Sequence, residues 1–295
     1  MRYVIDHATT YGYDDDVTDS LGVAHLVPRA LASQTVASAD VEVTPAPVDL
    51  SHDIDCYGNT ATYFQVTQPH RELVVRGRSD VEVTVPAYDE TALATPWEQA
   101  RPLVDPSLPG GWRATDFALP SAAVEHTPEA RAYGAESLRP GRPIGAAVTD
   151  LMHRIHADFE YDATATTVTS TVAETLRERA GVCQDFAHLT IACLRTHGLA
   201  ARYVSGYLAT EPPPGKERIV GADASHAWVA VWLPGRDGGV DEWLAIDPTN
   251  DQWVGDRYVT VAWGRDYGDV PPVKGVIFTE ATTSTLDVSV DVEPV

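Results

Sequence analysis

Lysine is almost absent from this chain: 2 basic residues are Lys (Lys216 and Lys274) and 19 are Arg, against 27 Asp and 16 Glu. The formal charge of −22 repels phosphate backbones, so nucleic acid is not an expected partner. Self-repulsion of this size opposes compaction unless salt screens it. The Asp excess with so little Lys leads to the expectation of an acidic, halophilic protein whose melting temperature rises through a KCl series; unchanged stability would count against it. Cysteine is scarce as well. Cys56, Cys183 and Cys193 are odd in number, widely spaced and without a CxxC pair, which argues against a disulfide framework or a zinc ribbon and fits a reducing compartment. Long apolar runs are also missing. None reaches the roughly eighteen residues of a membrane span, and Met1-Arg2-Tyr3-Val4-Ile5-Asp6 lacks the layout of a signal peptide. A cytoplasmic protein without a membrane partner is expected. Its 295 residues, 44% apolar, suffice for one large domain or two medium ones, each with its own core.

Residues 1 to 85 read as short strands separated by turn residues: Tyr3 to Ile5 alternating toward Tyr11 and Tyr13, Ala24–Val27, Gln34–Val43, Tyr63–Val66, Leu73–Val75 and Val81–Val85. This spacing predicts an antiparallel β-sandwich. Residues 86 to 120 carry Pro86, Pro96, Pro102, Pro106, Pro109 and Pro120, so residues 1–120 form an N-terminal sandwich domain ending in a Pro-rich linker. The pattern then turns helical over Thr127–Tyr133 and over Ile144–His156, with Ile144, Val148, Leu151, Met152 and Ile155 at helix spacing. Thr171-Val172-Ala173-Glu174 is a capping-box signature for a short helix that Gly181 can close in the left-handed conformation. Phe186, Leu189, Thr190, Cys193 and Leu194 recur at helical steps, which puts Cys183 at a helix start. Arg202–Leu208 alternates like a strand, and Glu211-Pro212-Pro213-Pro214-Gly215 makes a loop. Residues 121–295 are therefore a second unit, a core with a C-terminal β extension, and the whole is of the α+β class.

A thiol in the first turn of a helix faces unsatisfied N–H groups and the positive end of the helix dipole, both of which favour thiolate. Position alone makes Cys183 a candidate nucleophile, with its own backbone N–H available to an oxyanion. His226 opens the strand His226–Leu233, Pro234 to Gly239 supplies turn residues, and Glu242–Asp247 reads as the returning strand. With the hairpin centred near Arg236 and Asp237, His226 and Asp247 fall opposite one another, at roughly 5 Å between Cβ atoms. A thiol, an imidazole to move the proton and a carboxylate to orient the ring are what attack on an amide carbonyl requires. Trp228 shares a strand face with His226 and is a candidate wall of the site; Gln184, beside the nucleophile, is a candidate for the oxyanion hole or pocket. Cys56 and Cys193 are read as structural. His153 and His156 lie on one helix without a third ligand, so no metal and no cofactor is expected, and the Asp251, Asp256, Asp266 and Asp269 series is read as a solvated acidic surface.

Four blocks in this order, Gly181-Val182-Cys183-Gln184-Asp185, Arg202-Tyr203-Val204-Ser205-Gly206-Tyr207, Ala224-Ser225-His226-Ala227-Trp228 and Asp247-Pro248-Thr249-Asn250, resemble the core motifs of the microbial transglutaminase-like family. Trp263-Gly264-Arg265-Asp266-Tyr267 and the segment Asp269–Gly275 resemble the stretch C-terminal to that core in bacterial and archaeal members, and the β-rich start resembles the accessory domain that precedes it. The resemblance implies a papain-like core, a helix carrying Cys183 packed on an antiparallel sheet carrying His226 and Asp247, and gives these three the roles of a catalytic triad. A Phe-x-Tyr match makes Tyr161 a candidate donor to the oxyanion. The expected function is cysteine-dependent acyl transfer or amide hydrolysis on peptide or protein substrates. The alternative is a non-catalytic scaffold of the same fold. The oligomeric state and the choice between water and amine as acceptor are not readable.

Overall fold

The computed structural model describes residues 1–108, 110–167, 169–210, 225–235 and 242–295. The expected loop at Glu211–Gly215, the centre of the expected hairpin and Ala224 lie outside the described residues.

Two antiparallel sheets carry the architecture. The first is built from β1 (Arg2–Ala24), β2 (Gln34–Thr44), β3 (Asp49–Ile54), β4 (Thr60–Val66) and β5 (His70–Val83) in the order β2-β5-β1-β4-β3. β1 is one long strand that changes partners: residues 2–12 pair with β5, and residues 20–24 pair with β4. One buried cluster joins Val41 and Val43 of β2, Leu73 and Val75 of β5, and Phe64 and Val66 of β4, so the sheet folds over on itself as a sandwich. The expected breaks within residues 1 to 24 and between Val75 and Val81 do not occur. β5 runs unbroken through Arg76-Gly77-Arg78, where both arginines reach Asp6 of the neighbouring strand. β3 escaped the sequence reading because most of its residues are exposed, which leaves no apolar alternation to detect.

After β5 come two single-turn helices, α1 (Glu90–Leu93) and α2 (Gly111–Ala114), followed by α3 (Pro128–Ala135) and α4 (Ile144–Asp158). Ile144, Val148, Leu151, Met152 and Ile155 form the buried stripe of α4, as their spacing predicts. Next are β6 (Glu160–Tyr161), α5 (Val172–Glu178), β7 (Ala180–Gly181) and α6 (Cys183–Arg195). The capping box at Thr171 and Glu174 is present. The left-handed cap of α5 is Arg179, with φ +56°, and not Gly181. Helix α5 stops early because Ala180 and Gly181 pair with Glu160 and Tyr161 as a short parallel ladder.

The second sheet has the order β11-β10-β9-β8-β12 and is made of β8 (Ala201–Leu208), β9 (Ser225–Leu233), β10 (Glu242–Asp247), β11 (Gln252–Trp253) and β12 (Tyr258–Gly264). Ala227, Val229 and Val231 of β9 share a core with Phe186, Leu189 and Ile191 of α6. The same core takes in Tyr3, Ile5, Val81 and Val83 of the first sheet, so the two regions share a core in addition to the first sheet's own cluster. Polar ties cross between them too. His7 Nδ1 lies 2.9 Å from the Tyr207 hydroxyl, and Gln34 exchanges two hydrogen bonds of 2.8 Å with the Thr260 backbone.

The C-terminal residues depart from the sequence reading. β13 (Val273–Thr279) and β14 (Ser284–Pro294), expected as an extension of the core, both pair with β1 of the first sheet. Val290 and Val292 alternate inward beneath it. Local alternation identifies a strand but not its partner, which here lies more than 250 residues away along the chain.

Candidate active site

Cys183 opens α6 and is half-buried, whereas Cys193 is buried and Cys56 is exposed on the turn between β3 and β4. Burial pushes the Cys193 thiol up to about 12, as suits an inert core residue. Val182 precedes the helix and has no side-chain acceptor. Its N–H is taken instead by Asp185 Oδ2 at 2.9 Å, which also accepts from the Thr166 hydroxyl at 2.6 Å. Asp185 is buried, its other oxygen has no protein partner, and burial raises its carboxyl against the pull of those two bonds. Gly181 is required beside it: a Cβ there would come within 2.8 Å of Asp185 Oδ2.

His226 sits at the start of β9 and Asp247 at the end of β10. Ile246 lies opposite Val229, which puts the next residue, Asp247, two positions out of the expected register with His226. Because side chains alternate at every residue, an offset of two keeps both on one face, as diagonal neighbours rather than a directly opposed pair. The imidazole spans that diagonal, and His226 Nε2 lies 2.7 Å from Asp247 Oδ2. Nδ1 is left as the nitrogen available to the thiol.

Asp247 is fully buried, and both oxygens are occupied. Oδ2 accepts from the Asn250 amide and the Tyr258 hydroxyl, each at 2.7 Å, in addition to His226. Oδ1 accepts the backbone N–H of Thr249 at 2.9 Å and of Asn250 at 3.3 Å. Burial works to raise this carboxyl, but the bond and charge of His226 and the bonds from Asn250 and Tyr258 hold it below the usual range. Burial likewise works to lower His226. Hydrogen bonds to Asp247 and to Cys183, with the charge of both, overcome it and push the imidazole up to about 10.

Trp228 packs with its ring centroid 6.1 Å from His226 and 5.3 Å from Tyr258. It is 1% exposed and packs behind the histidine. Gln184 is buried beside the thiol. Tyr161 is 59% exposed and is paired through β6 with Gly181; burial and then the charge of Cys183 raise its hydroxyl. Part of the acidic series is not a solvated surface. Asp266 is buried and accepts from the backbone N–H of Ala123 and Gly268, each at 2.9 Å, while Asp269 is bound by Arg265. Two residues that bind Asp247 escaped the sequence reading. Asn250 lies in a quoted motif that gave it no role, and Tyr258, eleven positions beyond Asp247 on another strand, had no local signal at all.

The chain resembles known proteins throughout its length. The bacterial transglutaminase-like N-terminal region matches residues 3–82, and the transglutaminase-like superfamily core matches residues 131–248. An uncharacterized protein of Mycobacterium tuberculosis (strain ATCC 25618 / H37Rv) is 49% identical over 99% of this chain and 93% of its own length. One of Mycobacterium leprae (strain TN) is 34% identical over 99% and 98%. A crystal structure from Cytophaga hutchinsonii, described as a candidate cysteine protease, superposes with a TM-score of 0.72 at 21% identity, covering 98% of this chain and 90% of that one. With the Cys183 helix and both regions matched, the chain belongs to the transglutaminase-like superfamily, its core preceded by the bacterial transglutaminase-like N-terminal region.

Proposed function

We propose that this protein catalyses cysteine-dependent acyl transfer or amide hydrolysis on peptide or protein substrates, with Cys183, His226 and Asp247 as its triad. The observation that carries this reading is the buried His226–Asp247 pair at 2.7 Å, with Cys183 as the other group bonded to the same ring. An imidazole pushed up to about 10 holds its proton at neutral pH, so in the attacking state the proton given up by Cys183 resides on His226.

The steps follow from that charge state. The Cys183 sulfur attacks the amide carbon, forming the C–S bond and placing negative charge on the carbonyl oxygen. The backbone N–H of Cys183, unsatisfied within the helix, can donate a hydrogen bond to that oxygen. Exposed Tyr161 is a second candidate donor. When the C–N bond breaks, the His226 proton goes to the leaving amine. Neutral His226 then takes a proton from water or from an amine as that nucleophile attacks the thioester, and the thiolate departs with the C–S bond.

Mass spectrometry of a peptide library, incubated in KCl with and without a primary amine, tests the reading. Cleavage, a deamidation of about one dalton or amine incorporation would each identify the acceptor, and Cys183→Ala should yield none of them. Iodoacetamide supplies a control independent of substrate. Cys183 should be alkylated far faster than exposed Cys56; equal slow labelling would leave a scaffold of the same fold.

A further inference from the structure

The residues just beyond Asp247 are gripped by one face of α4. Thr149, His153 and His156 succeed one another at steps of four and three, which aligns them on one helical stripe. Each reaches the segment 249–253. Trp253 Nε1 donates to the Thr149 hydroxyl at 2.9 Å, His153 Nδ1 meets Asp251 Oδ1, and His156 Nδ1 lies 3.0 Å from the Thr249 carbonyl oxygen. That oxygen can only accept, so His156 carries its hydrogen on Nδ1. Asp251 is held in the left-handed region at φ +54°, a conformation that Asp tolerates better than most residues.

This stripe is distinct from the buried face of α4. His153 is exposed and Asp251 partly so, and a surface pair of this kind contributes little to overall stability. Its effect is local. Thr249 and Asn250, inside the gripped segment, supply three of the groups that bind Asp247: two backbone N–H groups and one side-chain amide. Ile246 and Asp247 pair in turn with Trp253 and Gln252, so residues 248–251 are a loop closed by that ladder and steadied from α4 at Thr249, Asp251 and Trp253.

We infer that the Thr149–His153–His156 stripe is a positioning device for the triad, pinning residues 249–253 so that Asp247 and, through it, the His226 ring stay in line with Cys183. The inference rests on the triad reading proposed above. The two histidines, too few for a metal site, thereby acquire a role that involves no metal.

The test uses the full chain carrying Cys56→Ser, with iodoacetamide as the probe and the alkylation rate of Cys183 near neutral pH as the readout. The variant T149V/H153A/H156A should keep its melting temperature and lose about tenfold or more in rate, as misplacement of a catalytic group predicts. The variant H153N/H156N, whose amide N–H stands near the place of each Nδ1, should recover most of that loss. An unchanged rate in the triple variant, or no recovery by the asparagines with melting intact, would overturn the inference. Were Cys183 of the parent chain to react no faster than a free thiol, the triad reading itself would fail, and that outcome is visible before any α4 variant is made.

Discussion

The sheet side and the helix side of the site are held in opposite ways. On the sheet side every acceptor of Asp247 is used, by two side chains and two backbone groups besides His226. On the helix side the buried carboxyl of Asp185 uses one oxygen, for Val182 and Thr166, and leaves the other without a protein partner. Satisfied networks fix direction, whereas half-satisfied ones leave room for adjustment. The comparison assigns the precision of the site to the base and its orienting acid. The nucleophile relies on a helix terminus, whose field depends less on the exact setting of any one side chain.

Substitutions on each side should separate the two. The largest expected effect is that of Cys183→Ala, which should lower turnover by about four orders of magnitude or more and leave melting nearly unchanged. Asp247→Asn should come next, at roughly a hundredfold to ten-thousandfold, because the amide can no longer hold a charged imidazole in its orientation. That variant also carries a pH signature. His226 is raised in the folded chain, so its contribution to stability is complete below its unfolded value near 6.5 and disappears as pH climbs through about 10. Denaturation of the parent chain should therefore show stability falling across that window, and Asp247→Asn should flatten the fall. If the two profiles coincide, the pair is not coupled as described.

Smaller effects are expected from the supporting groups. Tyr258→Phe removes one of three bonds on Asp247 Oδ2 and should lower the alkylation rate of Cys183 about tenfold and stability by about 1 kcal/mol. Thr166→Val on the helix side should cost about 1–3 kcal/mol by stranding more of a buried carboxyl, yet change the rate less than about threefold. A larger rate effect from Thr166→Val than from Tyr258→Phe would reverse the assignment of precision to the sheet side.

Much of this was legible in the sequence, for reasons that particular residues make clear. Thr171 and Glu174 announced a helix start because a capping box is local chemistry. The stripe of α4 was legible because one helix face packs on the core. His226 and Asp247 were paired correctly although the register was off by two, since an even error preserves the face of a strand. Turn geometry sets such an offset, and local pattern does not contain it. Tyr258 and the return of β13 and β14 to the first sheet were illegible for the same reason: each depends on a partner distant in sequence. Gly181 was read as a cap, whereas its lack of a side chain makes room for Asp185.

Strand β1 has one further consequence, for the order of events during synthesis. It is made some 250 residues before β13 and β14, which close one of its edges. The first sheet is thus incomplete until the whole second sheet has been made. A first sheet that looks like an autonomous unit in the sequence instead exposes a hydrogen-bonding edge until β13 and β14 arrive, and it should mature together with the second sheet and not ahead of it.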